Sequence, residues 1–173
     1  LLGLQERLTY LQQLGIDIVH LMPLLRGPEG ASDGGYAVSD FYAVDPRIGT
    51  LDDLRGVAKG LRRRGMALVL DVVLNHTSDQ HPWFQAARKA PPGSHERDFY
   101  VWSDTDKRYS GTRIIFLDTE TSNWAWDQEA SAYYWHRFYS HQPDLNFDNP
   151  KVLEEIIDVM RFWLDLGVDG LRL

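Results

Sequence analysis

Apolar residues along this chain alternate between helical spacing and short continuous runs. Leu4, Leu8, Leu11 and Leu14 recur at helical spacing, and Gly15 ends the helix they predict. Ile16-Asp17-Ile18-Val19-His20-Leu21-Met22-Pro23 then reads as a buried strand, and residues 24–49 as a long loop rich in Gly, Ser, Asp and Tyr. Thr50 followed by Asp53 resembles a capping box at the start of a second helix. Leu51, Leu54, Val57 and Leu61 form its apolar face, and Gly65 ends it. Met66 to Leu74 is continuously apolar except for Asp71, which suits a strand covered on both faces, as in a parallel sheet. Residues 77–149 lose this regularity. Asn149 then caps a helix with Pro150 at its first position. Leu153, Ile156, Met160 and Trp163 share one face, Gly167 stops it, and Val168–Leu173 is a third strand.

The order is helix, strand, helix, strand, irregular insertion, helix, strand. Alternation with short connections predicts a parallel sheet with right-handed crossovers. A flavodoxin-like sheet also alternates but rarely carries about 70 irregular residues after one strand. A (β/α)₈ barrel does, because the C-terminal ends of its strands bear long functional loops. The expectation is therefore an α/β fold, a partial (β/α)₈ TIM barrel with about three of its eight strands. Residues 1–76 form its first part, 77–149 an inserted unit and 150–173 its continuation. A sheet of this extent has an unpaired edge on each side.

Charge and composition narrow the function. The net charge is −7, with 18 basic and 25 acidic residues, which opposes binding to a nucleic-acid backbone. Arg62-Arg63-Arg64 is the one basic cluster, and it falls in the last turn of a predicted helix, where cations suit the negative dipole end. No apolar run reaches the roughly 18 residues of a membrane span. Without cysteine there are no disulfides and no thiolate metal sites. The opening Leu1-Leu2-Gly3-Leu4 carries neither Met nor a basic leader, which reads as a piece of a longer chain.

Polar residues gather where the predicted strands end, which is where barrel enzymes hold their sites. Asp71 interrupts an apolar run and needs either a partner, for which Arg172 across the sheet is suited, or a role in the site. Asn75 and His76 follow at the same strand end, where His76 suits a sugar hydroxyl. Asn75-His76-Thr77 also matches a glycosylation sequon, but a strand-end pocket disfavours modification there. Ser32-Asp33-Gly34-Gly35-Tyr36 reads either as an ordinary turn or as a loop offering a carboxylate to hydroxyls and a ring to a sugar face. Arg172 is an ion-pair partner that, near a carboxylate nucleophile, keeps that group ionised.

Together these residues resemble a family. Asp71-Val72-Val73-Leu74-Asn75-His76, Gln142-Pro143-Asp144-Leu145-Asn146 and Gly167-Val168-Asp169-Gly170-Leu171-Arg172-Leu173 are similar to successive motifs of the α-amylase family of glycoside hydrolases and transglycosylases, and the insertion falls where that family has its domain B. The resemblance covers nearly all of the chain. It implies a retaining enzyme acting on small α-glucosides, with one Asp as nucleophile and one Glu as acid/base. By analogy the nucleophile follows Leu173 and the other acids lie further on, so no acid of this chain is assigned a catalytic role. The resemblance also implies that Tyr36 stacks on the glucosyl unit, Asp33 and His76 bind its hydroxyls, Arg172 orients the nucleophile and Asp71 supports the site. Gln142 faces sugar, and Phe116 is a candidate hydrophobic wall. No cofactor is required. Asn75 and Asp144 match positions that ligate calcium in some members, and their oxygens suit a hard cation.

Within the family, Leu21 to Ser39 resembles amylosucrases. The stretches from His76 to Phe84, Arg97 to Asp104 and Tyr133 to Phe138 resemble trehalose synthases. His141-Gln142-Pro143-Asp144-Leu145-Asn146 continues that likeness and also marks oligo-1,6-glucosidases, whereas amylosucrases usually have Trp where Pro143 stands. The longer match favours a trehalose synthase or a close α-glucosidase. A sugar-binding module and a non-catalytic, transporter-associated relative are the alternatives from another class. The intact set Asp33, Tyr36, Asp71, His76 and Arg172 favours an enzyme.

Overall fold

The computed structural model describes residues 1–30 and 33–173. The leucine stripe at the start spans two short helices, α1 (Leu2–Gln5) and α2 (Leu8–Gln13), where the spacing predicts one. The turn between them lets Gln5 and Leu8 both reach the helix over Leu51–Arg62. There the side chain of Gln5 donates to the Asp53 carbonyl at 2.9 Å. A Cβ at Gly56 would stand 2.7 Å from the Gln5 amide nitrogen, and one at Gly60 would stand 2.4 Å from Leu8. Two glycines a turn apart thus form the notch that seats the N-terminal segment.

Strand β1 (Ile18–Leu21) is shorter than the apolar run predicts. Residues 24–49 are not a single loop, since β2 (Leu25–Arg26) pairs antiparallel with β3 (Asp40–Val44). Phe41 and Val44 are both buried but three residues apart, so this strand carries no period-two pattern that the sequence could show. Helix α3 (Leu51–Arg62) begins at the expected capping box. Thr50 Oγ1 accepts from the Asp53 amide at 3.1 Å, and the Asp53 carboxylate accepts from the Thr50 amide at 2.9 Å. Leu54, Val57 and Leu61 are fully buried. At the helix end, Arg62 donates to the Gly167 carbonyl and to Asp169, while Arg64 donates to the Gly60 carbonyl. The basic cluster is absorbed in fastening helix ends.

Strand β4 (Ala67–Asp71) is the centre of a three-stranded parallel sheet. It pairs with β1 from Ile18–Ala67 to Leu21–Leu70. Leu68 and Leu70, on one face, have no exposed surface, while Ala67 and Val69 on the other are half-buried, so this strand is fully covered on one face only.

Residues 77–149 are more regular than their sequence suggests. They contain helix α4 (Pro82–Ala87), a single 3₁₀ turn at Arg97–Phe99, and strands β5 (Trp102–Ser103), β6 (Trp124–Asp127) and β7 (Ala132–Trp135). The three strands form an antiparallel sheet in the order β5-β7-β6. Aromatic rings hold this part together: Phe84 packs on Tyr100, Trp102 and Tyr134 with centroids 5.0 to 5.7 Å apart. The buried Arg97 guanidinium lies 3.8 Å over the Trp102 ring and donates to the Ala87 and Ala130 carbonyls. These rings join the same hydrophobic core as the parallel sheet.

Helix α5 (Pro150–Leu166) starts with the Asn149 side chain accepting from the Lys151 amide at 3.0 Å and stops at left-handed Gly167, φ +116°. Its buried face is Val152, Ile156, Val159 and Trp163. Leu153, expected on that face, is 49% exposed. The Trp163 indole donates to the Phe41 carbonyl and fixes the rotation of the helix. Strand β8 (Gly170–Arg172) then pairs with β4, setting Arg172 opposite Asp71. The result is three parallel strands with helices between them, the α/β barrel architecture that the alternation predicts, and β1 and β8 each have one strand neighbour in this sheet.

Replacing Thr50 by Ala removes the reciprocal cap and is expected to lower stability by about 1 kcal/mol. Chemical denaturation of the variant against the parent checks it, with an unchanged m-value showing that the loss is local.

Candidate functional site

The parallel register brings the C-terminal ends of β4 and β8 to one level, and the chain past β4 runs on as Val72 to His76. A cavity of about 490 Å³ opens there. Its lining includes Asp33, Tyr36, Asp71, Asn75, His76, Phe116, Gln142 and Arg172, residues drawn from separate stretches along the whole chain. Asp144 is not part of the lining but sits behind it, bridged to His76 through the backbone.

Asp33 is the most heavily bonded group in the cavity. Its Oδ1 accepts from the amides of Tyr36 at 2.9 Å and Ala37 at 3.1 Å. Its Oδ2 accepts from Gln142 Nε2 at 2.5 Å and His141 Nε2 at 3.2 Å. Burial raises the carboxyl's pKa, but the bonds from His141, Ala37 and Gln142 outweigh that and hold it well below the usual carboxylate range. The same pairing with Asp33 raises His141. Gly34 and Gly35 both have left-handed φ, +86° and +90°. A Cβ at Gly35 would meet the Pro23 carbonyl oxygen at 2.9 Å, so the second glycine is required by both conformation and space. Ser32, which begins this motif, lies outside the described residues.

His76 is 4% exposed. Its Nε2 lies 3.0 Å from the Tyr36 carbonyl, which can only accept, so the proton resides on Nε2. Nδ1 then accepts the longer bond from Asn75, at 3.3 Å. Burial pulls the imidazole down to about 4. Asp71 is 3% exposed and pairs with Arg172, with His20 Nε2 a further 3.7 Å contact. The expectation of an Asp71 partner across the sheet is met by the residue directly opposite in register.

The wall facing these polar groups is aromatic, and most of it was not singled out from the sequence. Phe116 stacks on Tyr139 with centroids 4.2 Å apart, and Tyr139 continues onto His141 at 5.4 Å. Phe138 packs against His76 at 5.3 Å. Phe138, Tyr139 and His141 immediately precede Gln142, so proximity to that motif was the one available signal.

Asn75 and Asp144 were expected to suit calcium. Burial pushes the Asp144 carboxyl up to about 6, against the bonds from the Arg137 amide and the Asn75 side chain. Two side-chain oxygens fall short of the roughly six to eight that calcium takes. Among the described residues, no group of three His, Cys, Asp or Glu is placed to hold a metal. The pair by itself does not form a calcium cage.

The sequence profile of the alpha-amylase catalytic domain matches residues 1–173. The chain is 54% identical over 171 residues to a trehalose synthase of Pimelobacter sp., covering 99% of this chain and 29% of that protein. It is 55% identical to the trehalose synthase/amylase TreS of Mycobacterium tuberculosis, covering 99% and 28%. An oligo-1,6-glucosidase of Parageobacillus thermoglucosidasius is 40% identical, covering 99% and 30%. The solved trehalulose synthase MutB of Pseudomonas mesoacidophila superposes with a TM-score of 0.87 at 40% identity, covering 98% of this chain and 30% of that one. The chain thus spans somewhat under a third of the length of these relatives.

The buried histidines make stability depend on pH. His76 and His81 are both lowered to about 4, so below 6.5 the unfolded chain binds protons that the folded one refuses. Asp144, raised to about 6, opposes this by one proton between 6 and 3.8. His136, lowered by burial, adds to the effect and His141, raised by Asp33, opposes it, so the net expectation is that unfolding free energy falls from pH 6 to 4. Urea denaturation at half-unit steps measures the slope, and a flat profile contradicts it.

Proposed function

This chain belongs to the α-amylase family, and we propose that the protein carrying it is a retaining α-glucosyl enzyme that interconverts maltose and trehalose. The observation that carries this reading is the cavity at the strand ends. A carboxylate, an imidazole, an amide and a guanidinium face a wall of aromatic rings in a volume suited to a glucosyl unit. The identity of 54–55% to trehalose synthases supports that specificity over the other α-glucosyl reactions.

In this reading Tyr36 lies against the sugar face, and Asp33 and Gln142 bind its hydroxyls. Asp33 exchanges part of its four-donor set for sugar hydroxyls, which keeps its charge solvated at every stage. His76 is held by the Tyr36 carbonyl, so it sets the position of Tyr36 and offers Nδ1, where the Asn75 bond is long, to a hydroxyl. Arg172, fixed by Asp71, points its charge at the cavity and would keep a neighbouring carboxylate nucleophile ionised. The stacked column of Phe116, Tyr139 and His141 shields the cavity from water on one side, which favours capture of the glucosyl group by a second sugar over hydrolysis.

A second reading is a hydrolase of the oligo-1,6-glucosidase type, favoured by the 40% identity to one such enzyme. Product analysis of the full-length protein separates the two. Trehalose from maltose with little free glucose supports the first reading; glucose alone supports the second. Asp33→Ala is expected to lower kcat/KM on maltose by about 100-fold, the worth of losing charge-assisted hydrogen bonds in the transition state.

We further propose that any calcium bound near this site uses Asn75 and Asp144, with backbone carbonyls completing its shell. Thermal denaturation with and without a chelator tests this. The expected result is a Tm lowered by chelation in the parent and insensitive to it in Asp144→Asn; no shift in either rejects the site.

A further inference from the structure

A second cavity, of about 480 Å³, lies between the β2–β3 hairpin and the start of α4. It shares no lining residue with the first. Arg26, Asp40, Tyr42, Gln80, His81 and Trp83 carry its chemistry. The histidine is the telling residue. Although only 4% exposed, it accepts the Trp83 amide at Nδ1, 3.1 Å away, and that bond places its proton on Nε2. Among the described residues, Nε2 has no hydrogen-bond partner. It is also not enclosed, because Arg88 Nε is the one fully buried side-chain polar atom without a hydrogen bond among them. A donor of fixed direction therefore opens onto the groove from a ring clamped between Phe41 and Trp83, at 5.2 and 4.6 Å.

Other groups around it are equally unclaimed by the fold. The Arg26 guanidinium makes no ion pair or hydrogen bond among the described residues, and neither do the Trp83 indole N–H and the Tyr42 hydroxyl. Asp40 uses Oδ1 on the Tyr42 amide at 2.9 Å and has Oδ2 to spare. Arg26 and Tyr42 are exposed and reach water, so the case for a ligand rests on the His81 Nε2 donor, held on a residue only 4% exposed, with these groups placed around it. The signs choose its class. Asp40 and Glu29 repel an anion, and Arg26 repels a cation. Hydroxyl groups, which both donate and accept, match all of these partners at once, and the Trp83 and Tyr42 rings supply faces for a sugar's C–H surface.

We propose that this groove is a second carbohydrate-binding site, for a neutral oligosaccharide, separate from the strand-end cavity. It does not depend on which reaction the first site performs.

The test is isothermal titration of the full-length protein with maltotriose, in an Asp33→Ala background that weakens the first cavity and slows turnover by about 100-fold. One residual binding event is expected. Arg26→Ala should weaken it by about tenfold or more, the usual effect of losing a hydrogen bond to a charged group. His81→Gln, which keeps a donor but moves it, should also weaken it, while circular dichroism shows both variants folded. In the otherwise unaltered enzyme, Arg26→Ala should leave kcat at saturating maltose unchanged. No residual event, or one that neither substitution alters, overturns the proposal. Displacement of maltotriose by inorganic phosphate overturns the assignment to a neutral ligand. A protein that fails to turn over maltose but shows the residual event would defeat the reading of the first site alone.

Discussion

The carboxylate of Asp33 ties together the parts on which the strand-end cavity depends. Two of its bonds close the glycine turn that presents Tyr36, and two reach His141 and Gln142, 108 and 109 residues further along. Four donors converge on a group that is largely out of water. Its charge is therefore stabilised only while both the glycine turn and segment 141–142 are in place. The geometry of the pocket wall follows, because the ring column from Phe116 through Tyr139 ends on the imidazole that Asp33 holds.

A second constraint comes from the parallel sheet. Pairing of β4 with β8 sets Asp71 and Arg172 side by side, and pairing with β1 brings His20 within 3.7 Å of the same carboxylate. An acid in an apolar strand is tolerable only when the register supplies a partner at its level, here the Arg172 guanidinium. Thus the sheet's hydrogen bonds determine where the guanidinium points. The inserted unit then acts as the far wall. Tyr134 of its antiparallel sheet donates to the Ser140 carbonyl, and the His141 carbonyl accepts the Asp79 amide, so segment 138–142 is held beside the chain that follows β4.

The segment from Tyr36 to Tyr42 links both cavities. Its first residue lines the strand-end pocket, and its last four line the groove beside α4. Between them, the Val38 carbonyl accepts the Ser78 amide at 2.7 Å. One stretch of backbone, anchored to the chain after β4, positions side chains in both places. Glycine at position 35 is what allows it to pass so close to Pro23.

Local features of the chain were written in its sequence. The Thr50 capping box, the Asn149–Pro150 start and Gly167 stop of α5, and the alternation that yields a parallel sheet all follow from residues a few positions apart, where spacing alone carries the physics. Asp71 announced its need for a partner because a charge in an apolar run is costly wherever it lies, and the motif likeness pointed to Asp33, Tyr36, His76, Gln142 and Arg172. Pairings between distant residues were a different matter. The β2–β3 hairpin, the aromatic sheet of the insertion, the roles of Phe138, Tyr139 and His141, and the rotation of α5 that buries Val152 and exposes Leu153 were decided by the tertiary structure. Each rests on a contact between segments with no common periodicity. Only packing determines which ring meets which, and whether a histidine's second nitrogen faces protein or open space.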